Sequence, residues 1–302
     1  MTISDDCCFV AYQYTYVRPI SKCRIFFHAD YLVTLQFKVL FKFSSMDLFV
    51  PEDSIVRKIW GRGDTVLLIF AGASAEFALN KAVDWLYFTG RLPADPLGRL
   101  FSTVTYAQKI VFSSRNKALE SIDKIVSIHR GVEEQRAASI PAAAYLDVLF
   151  LLIDYSIRSF ELLQRRLTRE EKTEIFAVFN RLGERMGLAG LPGDLVAWEH
   201  DRKQHLQENL VWGPFSADLY QQYRKHLGAF RYWLLLQGQT LLVPPAARRL
   251  LPLPAMAVIS PVIQLYKVVR LLRLDSWVRV ALLPKKFRAS VAALDGYKPG
   301  TR

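Results

Sequence analysis

Asp64-Thr-Val-Leu-Leu-Ile-Phe-Ala-Gly-Ala-Ser-Ala-Glu-Phe-Ala78 is the stretch that decides the fold class. Wound as a helix, it is apolar almost all the way round, the pattern of a helix covered on every side. Such a helix needs other helices to cover it, and the flanking sequence supplies their start and stop signals. On the N-terminal side, Asp53-Ser54-Ile55-Val56 reads as a cap opening a short helix that ends near Gly61. On the C-terminal side, Pro93 and Pro96 punctuate a loop, and Asp95-Pro96-Leu97 opens a helix carrying Arg99 and Thr103. A helix from about Arg115 to Glu134 places Ala118, Ile122, Ile125, Val126 and His129 on one side. Pro141 opens the next helix, at the first-turn position that suits proline. Thr168-Arg-Glu-Glu171 is a capping box, predicting a helix to about Met186. Asp194 caps a helix running to about Leu206. Further helices are predicted over Ser216–Leu227, near Trp233–Leu242 and around Pro261–Leu272, the second stopped by Val243-Pro-Pro245. The expectation is an all-α chain with a single, mostly helical domain over residues 46–290 and a C-terminal tail over 291–302.

Residues 1–45 have another character. Phe9-Val-Ala-Tyr-Gln-Tyr-Thr-Tyr-Val17 alternates like a strand. The segment reads as an extension ahead of Met46 produced by a misassigned start; the alternative is a short β-rich or disordered appendage.

Composition removes several function classes. Of 302 residues, 51% are hydrophobic and 23% charged, which suits a folded globular protein. The cysteines are Cys7, Cys8 and Cys23, so the helical domain can have neither a disulfide framework nor a cysteine-based zinc site. Nothing points to an oxidising compartment, and no apolar stretch reaches the roughly 18 residues of a spanning helix, so a cytoplasmic location is expected. Glycine-rich phosphate loops, His-Glu-x-x-His and Gly-x-Ser-x-Gly are all missing from the sequence. His200 and His205 lie about 140° apart around a helix and cannot share a metal. The net charge is +12, and from Lys267 to the end there are nine Lys or Arg against two Asp. This basic, Trp-containing segment is expected to touch an anionic membrane surface peripherally. No nucleic-acid partner is expected, because the basic and aromatic patches near Tyr223-Arg-Lys225 lie on no recognised binding fold.

What remains is a small polar set. Arg99 and Thr103, four residues apart, share one helix face. His129 is the only histidine between Met46 and His200. One imidazole suffices as the axial ligand of a haem iron, and an arginine can supply a permanently charged donor on the opposite side. A lone helical histidine is more often a satisfied structural residue, however, and an Arg–Thr pair at this spacing is usually a solvated face. Spacing alone does not justify haem.

The run Asp95-Pro-Leu-Gly-Arg99-Leu-Phe-Ser-Thr103, followed one helix later by Ile128-His129-Arg-Gly-Val132, resembles the signature of the MpaB-type and latex-clearing (rubber oxygenase) family. The resemblance covers about residues 55–290. It implies a mainly α-helical fold holding haem b, with His129 as the iron ligand and Arg99 and Thr103 as the catalytic polar residues on the distal side. It implies a haem-dependent oxygenase acting with O2 on an apolar, unsaturated organic substrate. The chain also departs from the pattern. Ser102 stands where rubber-cleaving relatives carry a lysine before the threonine, Asn80-Lys81 where many members have His-Pro, and Ile153 in a helix where many have a histidine. These departures keep open an alternative: a non-catalytic helical protein of the same fold, peripheral to a membrane. Glu76 and Asp154 are acidic groups in apolar surroundings, read either as proton-relay groups or, more readily, as partners of a buried arginine such as Arg158.

Overall fold

The computed structural model describes residues 48–271, apart from 89 and 91–93. The strand-like run Phe9–Val17, the three cysteines, most of the basic C-terminal segment and the tail 291–302 lie outside the described residues.

Helices dominate: α1 (Ile55–Trp60), α2 (Gly63–Phe77), α3 (Asp84–Phe88), α4 (Pro96–Phe112), α5 (Arg115–Arg136), α6 (Ala142–Leu163), α7 (Arg169–Arg185), α8 (Leu195–Glu208), α9 (Pro214–Leu242), α10 (Pro245–Leu250) and α11 (Ser260–Leu271). Among the described residues no strand forms; two isolated bridges, Leu48 with Ser114 and Asn80 with Leu210, are the only extended pairings. The all-α expectation therefore holds.

Local chemistry explains the helix starts. The Ser54 side chain accepts from the Val56 amide at the head of α1. Asp95 accepts from the Gly98 amide at α4, and Asp194 from the Ala197 amide at α8. Thr168 and Glu171 form the reciprocal capping box of α7. Pro141 is the cap of α6 rather than its first helical residue. The two segments expected over 216–242 are arms of one helix, α9, bent at Gly228, where φ is 73°. Only glycine adopts that dihedral without cost. Val243-Pro-Pro245 ends α9 as expected, but Pro245 also opens α10, a short helix the sequence reading lacks.

The position of α2 makes sense of its all-round apolarity. Val66, Ile69, Phe70 and Ala75 are buried in it. At Gly72 it meets α6 so closely that a Cβ would lie 2.2 Å from the Tyr155 ring. At Gly238, α9 passes Ala71 and Leu68 of α2 at van der Waals distance. The main core gathers around Trp60, whose ring meets Phe70 edge-on and lies 5.9 Å from Phe179, and whose Nε1 donates to Ser156 Oγ at 3.1 Å. Each such fully buried large side chain contributes about 1.5–3 kcal/mol. A second core joins Leu79 to Leu219, Tyr220 and Tyr223 of the first arm of α9 and to Val243 and Ala247.

Candidate active site

Residues of α2 to α7, α9 and α11 surround a cavity of about 650 Å³. That volume lies within the range of natural ligand sites. Its wall is mostly apolar, with Leu68, Ile110, Ile125 and Leu149 among the lining residues. Polar groups on the wall include Asn80, Arg99, Ser102, Thr103, His129 and Arg231. Arg99, Thr103 and His129, which the sequence picked out from two separate helices, thus border one space.

His129 sits on α5 with its Nδ1 buried and without a hydrogen-bond partner among the described residues. The Tyr145 ring of α6 lies 5.2 Å from the imidazole, tilted by 57°. Burial lowers the imidazole pKa, the Arg99 charge lowers it further, and Glu133 one turn along opposes them. The net effect favours the neutral ring, the form that ligates metals. Glu133 is itself engaged, its Oε1 accepting from the Ile140 amide at 2.8 Å. On α4, Ser102 Oγ and Thr103 Oγ1 both donate to the Arg99 carbonyl, at 2.7 and 3.2 Å. Their hydroxyl protons are held by their own helix, so towards the cavity they can act only as acceptors.

A second polar assembly lies behind the α2–α6 contact. Arg202 of α8 grips both Glu76 oxygens, with Nη2 to Oε2 at 2.7 Å, and donates to Asp154 Oδ2 from Nε at 3.1 Å and Nη2 at 2.9 Å. Arg158 donates to the other Asp154 oxygen at 2.7 Å, and the Tyr155 hydroxyl donates to Glu76 Oε2 at 2.9 Å. Burial alone would weaken the Arg202 charge, but Glu76 and Asp154 more than offset it and hold its pKa above the usual range. The partner sought for the two apolar-flanked acids is therefore chiefly Arg202, with Arg158 serving Asp154.

Next to this assembly, Asn80 Nδ2 donates to Asp147 Oδ2, and His205 Nε2 faces Asp147 Oδ1. Asn209 Nδ2 lies 2.7 Å from His205 Nδ1. Burial, with the Glu76 charge, pushes the Asp147 carboxyl up to about 7 against the pull of Asn80 and Arg202. Burial and the Arg202 charge push His205 down to about 4. Asn80 joins this pair to the cavity, since its side chain belongs to both. The sequence reading missed Asp147 and His205. A signal was present: Leu195, Trp198, Arg202 and His205 fall at helical spacing on the buried stripe of α8. His200, five residues before His205, is exposed.

Among the described residues no group of three or more His, Cys, Asp or Glu is placed to hold a metal ion by itself. A haem would ask the protein for only one ligand. No curated protein and no solved structure matches the chain significantly. The family described as "ER-bound oxygenase mpaB/B'/Rubber oxygenase, catalytic domain" does match, over residues 57–292, and the chain belongs to that family of oxygenase catalytic domains.

Proposed function

We propose that this protein is a haem b-dependent oxygenase that acts with O2 on an apolar, unsaturated organic substrate. The observation that carries the reading is the unpartnered, buried Nδ1 of His129 on a largely apolar cavity that Arg99 and Thr103 also line. The residues fit the cofactor. A neutral imidazole is available for iron, and Ile125 and Leu149 offer the apolar surface that porphyrin faces need. His129 would hold the iron. Bound haem would supply the binding and activation of oxygen.

The chain's own groups do the rest. Tyr145 packs against the imidazole and limits its rotation. Arg99 brings a permanent positive charge to the cavity, suited to a developing negative charge there. Thr103 Oγ1, its proton engaged by the Arg99 carbonyl, offers a lone pair that can orient a polar ligand atom. The mostly apolar wall favours an apolar substrate. Asp147, reached through Asn80, can hold a proton near neutrality.

The ultraviolet–visible spectrum of the purified chain tests this. A Soret band is expected, lost in His129→Ala. Arg99→Ala should keep the band and slow oxygen-dependent turnover by roughly tenfold or more. A colourless protein that cannot be reconstituted with haem would remove the proposal. The second reading, a non-catalytic member of the family, draws on Ile153, buried within the main core, and on Ser102, hydrogen-bonded to its own helix. Haem binding with no oxygen consumption across a broad panel of apolar substrates would favour it.

A further inference from the structure

The α9 and α11 walls of the cavity are apolar on the outside as well. Leu234 and Gly238 of α9 and Ile259 and Ile263 beside or within α11 border the cavity. About a third of a turn away, Val258, Val262 and Leu265 point outward, 65%, 58% and 64% exposed, and Met256 just before them is 76% exposed. On α9, Phe230 is 63% exposed and its ring stacks on that of exposed Trp233 at 6.2 Å. Met256, Val258, Leu265 and Phe230 are the four most exposed large hydrophobic residues among those described. Single exposed apolar residues are ordinary, but a run of them along one helix and its approach is costly in water and marks an interaction surface.

Side-chain hydrogen bonds tie this face to the rest of the domain. Tyr266 donates to Asp64 Oδ2 at 3.1 Å, tying α11 to the head of α2. Arg248 Nη2 donates to the carbonyls of Pro254 and Ala255 at 3.2 and 2.5 Å, pinning the approach to α11.

Charge narrows the choice of occupant. Residues 219–271 contain seven Lys or Arg and no Asp or Glu. Arg224, Lys225 and Arg249 are exposed. An apolar stripe within a stretch lacking any acidic residue is the pattern of a helix lying in the headgroup layer of an anionic bilayer, with its apolar side chains entering the acyl boundary. We propose that α11 and its approach, with Phe230 and Trp233 of α9, dock the protein on the surface of an anionic phospholipid bilayer, so that two walls of the cavity adjoin the hydrocarbon. The docking stands apart from the oxygenase reading; only the delivery of an apolar substrate through this face rests on it.

Co-sedimentation of the full chain with unilamellar vesicles tests the proposal. The vesicles are phosphatidylcholine alone or phosphatidylcholine with phosphatidylserine, each at low and high salt. Binding is expected to the anionic vesicles and to weaken with salt. The triple variant Met256→Ser, Val262→Ser, Leu265→Ser should partition at least ~tenfold less, since three apolar side chains no longer enter the lipid. Arg224→Glu, Lys225→Glu and Arg249→Glu together should weaken binding at low salt, with the deficit shrinking at high salt. All these positions are at the surface, and an unchanged thermal melt verifies the fold. The proposal is overturned if no vesicle captures the wild type, or if the apolar triple variant binds as well as the wild type. It is also overturned if gel filtration shows a dimer that the triple variant dissolves while vesicles bind neither, which would make the face an interface between two copies.

Discussion

Two buried polar regions lie on either side of the α2–α6 packing, and they are built on opposite terms. In the Glu76–Arg202–Asp154 assembly the charges answer one another: two carboxylates, two guanidinium groups and a phenol joined by hydrogen bonds. On the cavity side, His129 keeps a buried nitrogen with no partner among the described residues, and the wall around it is apolar. A buried polar group without a partner costs about 1–3 kcal/mol. The contrast is between a charge cluster whose groups answer one another and a mostly apolar wall that carries a single buried imidazole.

The largest expected effect lies in the charge cluster. Arg202→Ala would strand Glu76 and Asp154 in a buried setting and should cost about 3–5 kcal/mol in urea denaturation. A loss below about 1 kcal/mol would show that water reaches these acids and would dissolve the contrast. At the cavity, His129→Ala should change stability by no more than about 1 kcal/mol in the same assay, because no hydrogen bond from Nδ1 is lost. A loss as large as that of Arg202→Ala would give His129 the same structural weight.

Asp147 and His205, between the two regions, should reveal themselves through pH. Asp147 has its folded pKa raised, so its contribution is full below its unfolded value near 4 and is lost as pH rises towards about 7. His205 has its folded pKa lowered, so its contribution is full above its unfolded value near 6.5 and is lost as pH falls towards about 4. Between these limits the folded pair carries one proton on Asp147, and the unfolded pair carries one on the histidine. The proton counts match, and the pair adds almost no pH slope to the wild type. Asp147→Asn should expose the histidine, with stability rising with pH across this window by up to ~1.4 kcal/mol per unit. His205→Gln should expose the acid, with stability falling with pH by a similar amount. Slopes of the same sign in both variants would refute the pairing.

How far the sequence reached depended on distance along the chain. The Ser54 and Asp95 caps, the Thr168–Glu171 box and the buried character of α2 were legible, because each depends on a few adjacent residues. Pro141 was misplaced by one position, since proline suits both the cap and the first turn. The α9 segment read as two helices because Leu227-Gly228 breaks the pattern, although the chain only bends there. Arg99, Thr103 and His129 could be picked out by family pattern, but not the cavity they share, which is lined from eight helices. The acids Glu76 and Asp154 stood out in their apolar surroundings, yet the arginine that joins them, Arg202, lies on a helix rich in charged residues and far along the chain from both. His205 could have been found from the buried stripe of α8, whereas Asp147 gains its meaning from Asn80 and His205, which lie far from it along the chain.

The bend at Gly228 has a consequence for the size of what the protein can hold. Tyr223 and Leu227 before it, and Leu234 and Gly238 after it, all border the hollow, and both arms also pack on the second core, through Tyr220 and Tyr223 on one side of the bend and Leu235 and Leu236 on the other. A side chain at this position would meet no atom within 4 Å, so crowding does not demand glycine there; the dihedral does. The angle between the two arms turns on this residue and is held by the Tyr220 hydroxyl, which donates to Gln239 Oε1 at 3.0 Å. Straightening this elbow would part Tyr220 from Gln239 and draw Leu235 and Leu236 off the second core, so the width of the hollow and the packing beside it can only change together.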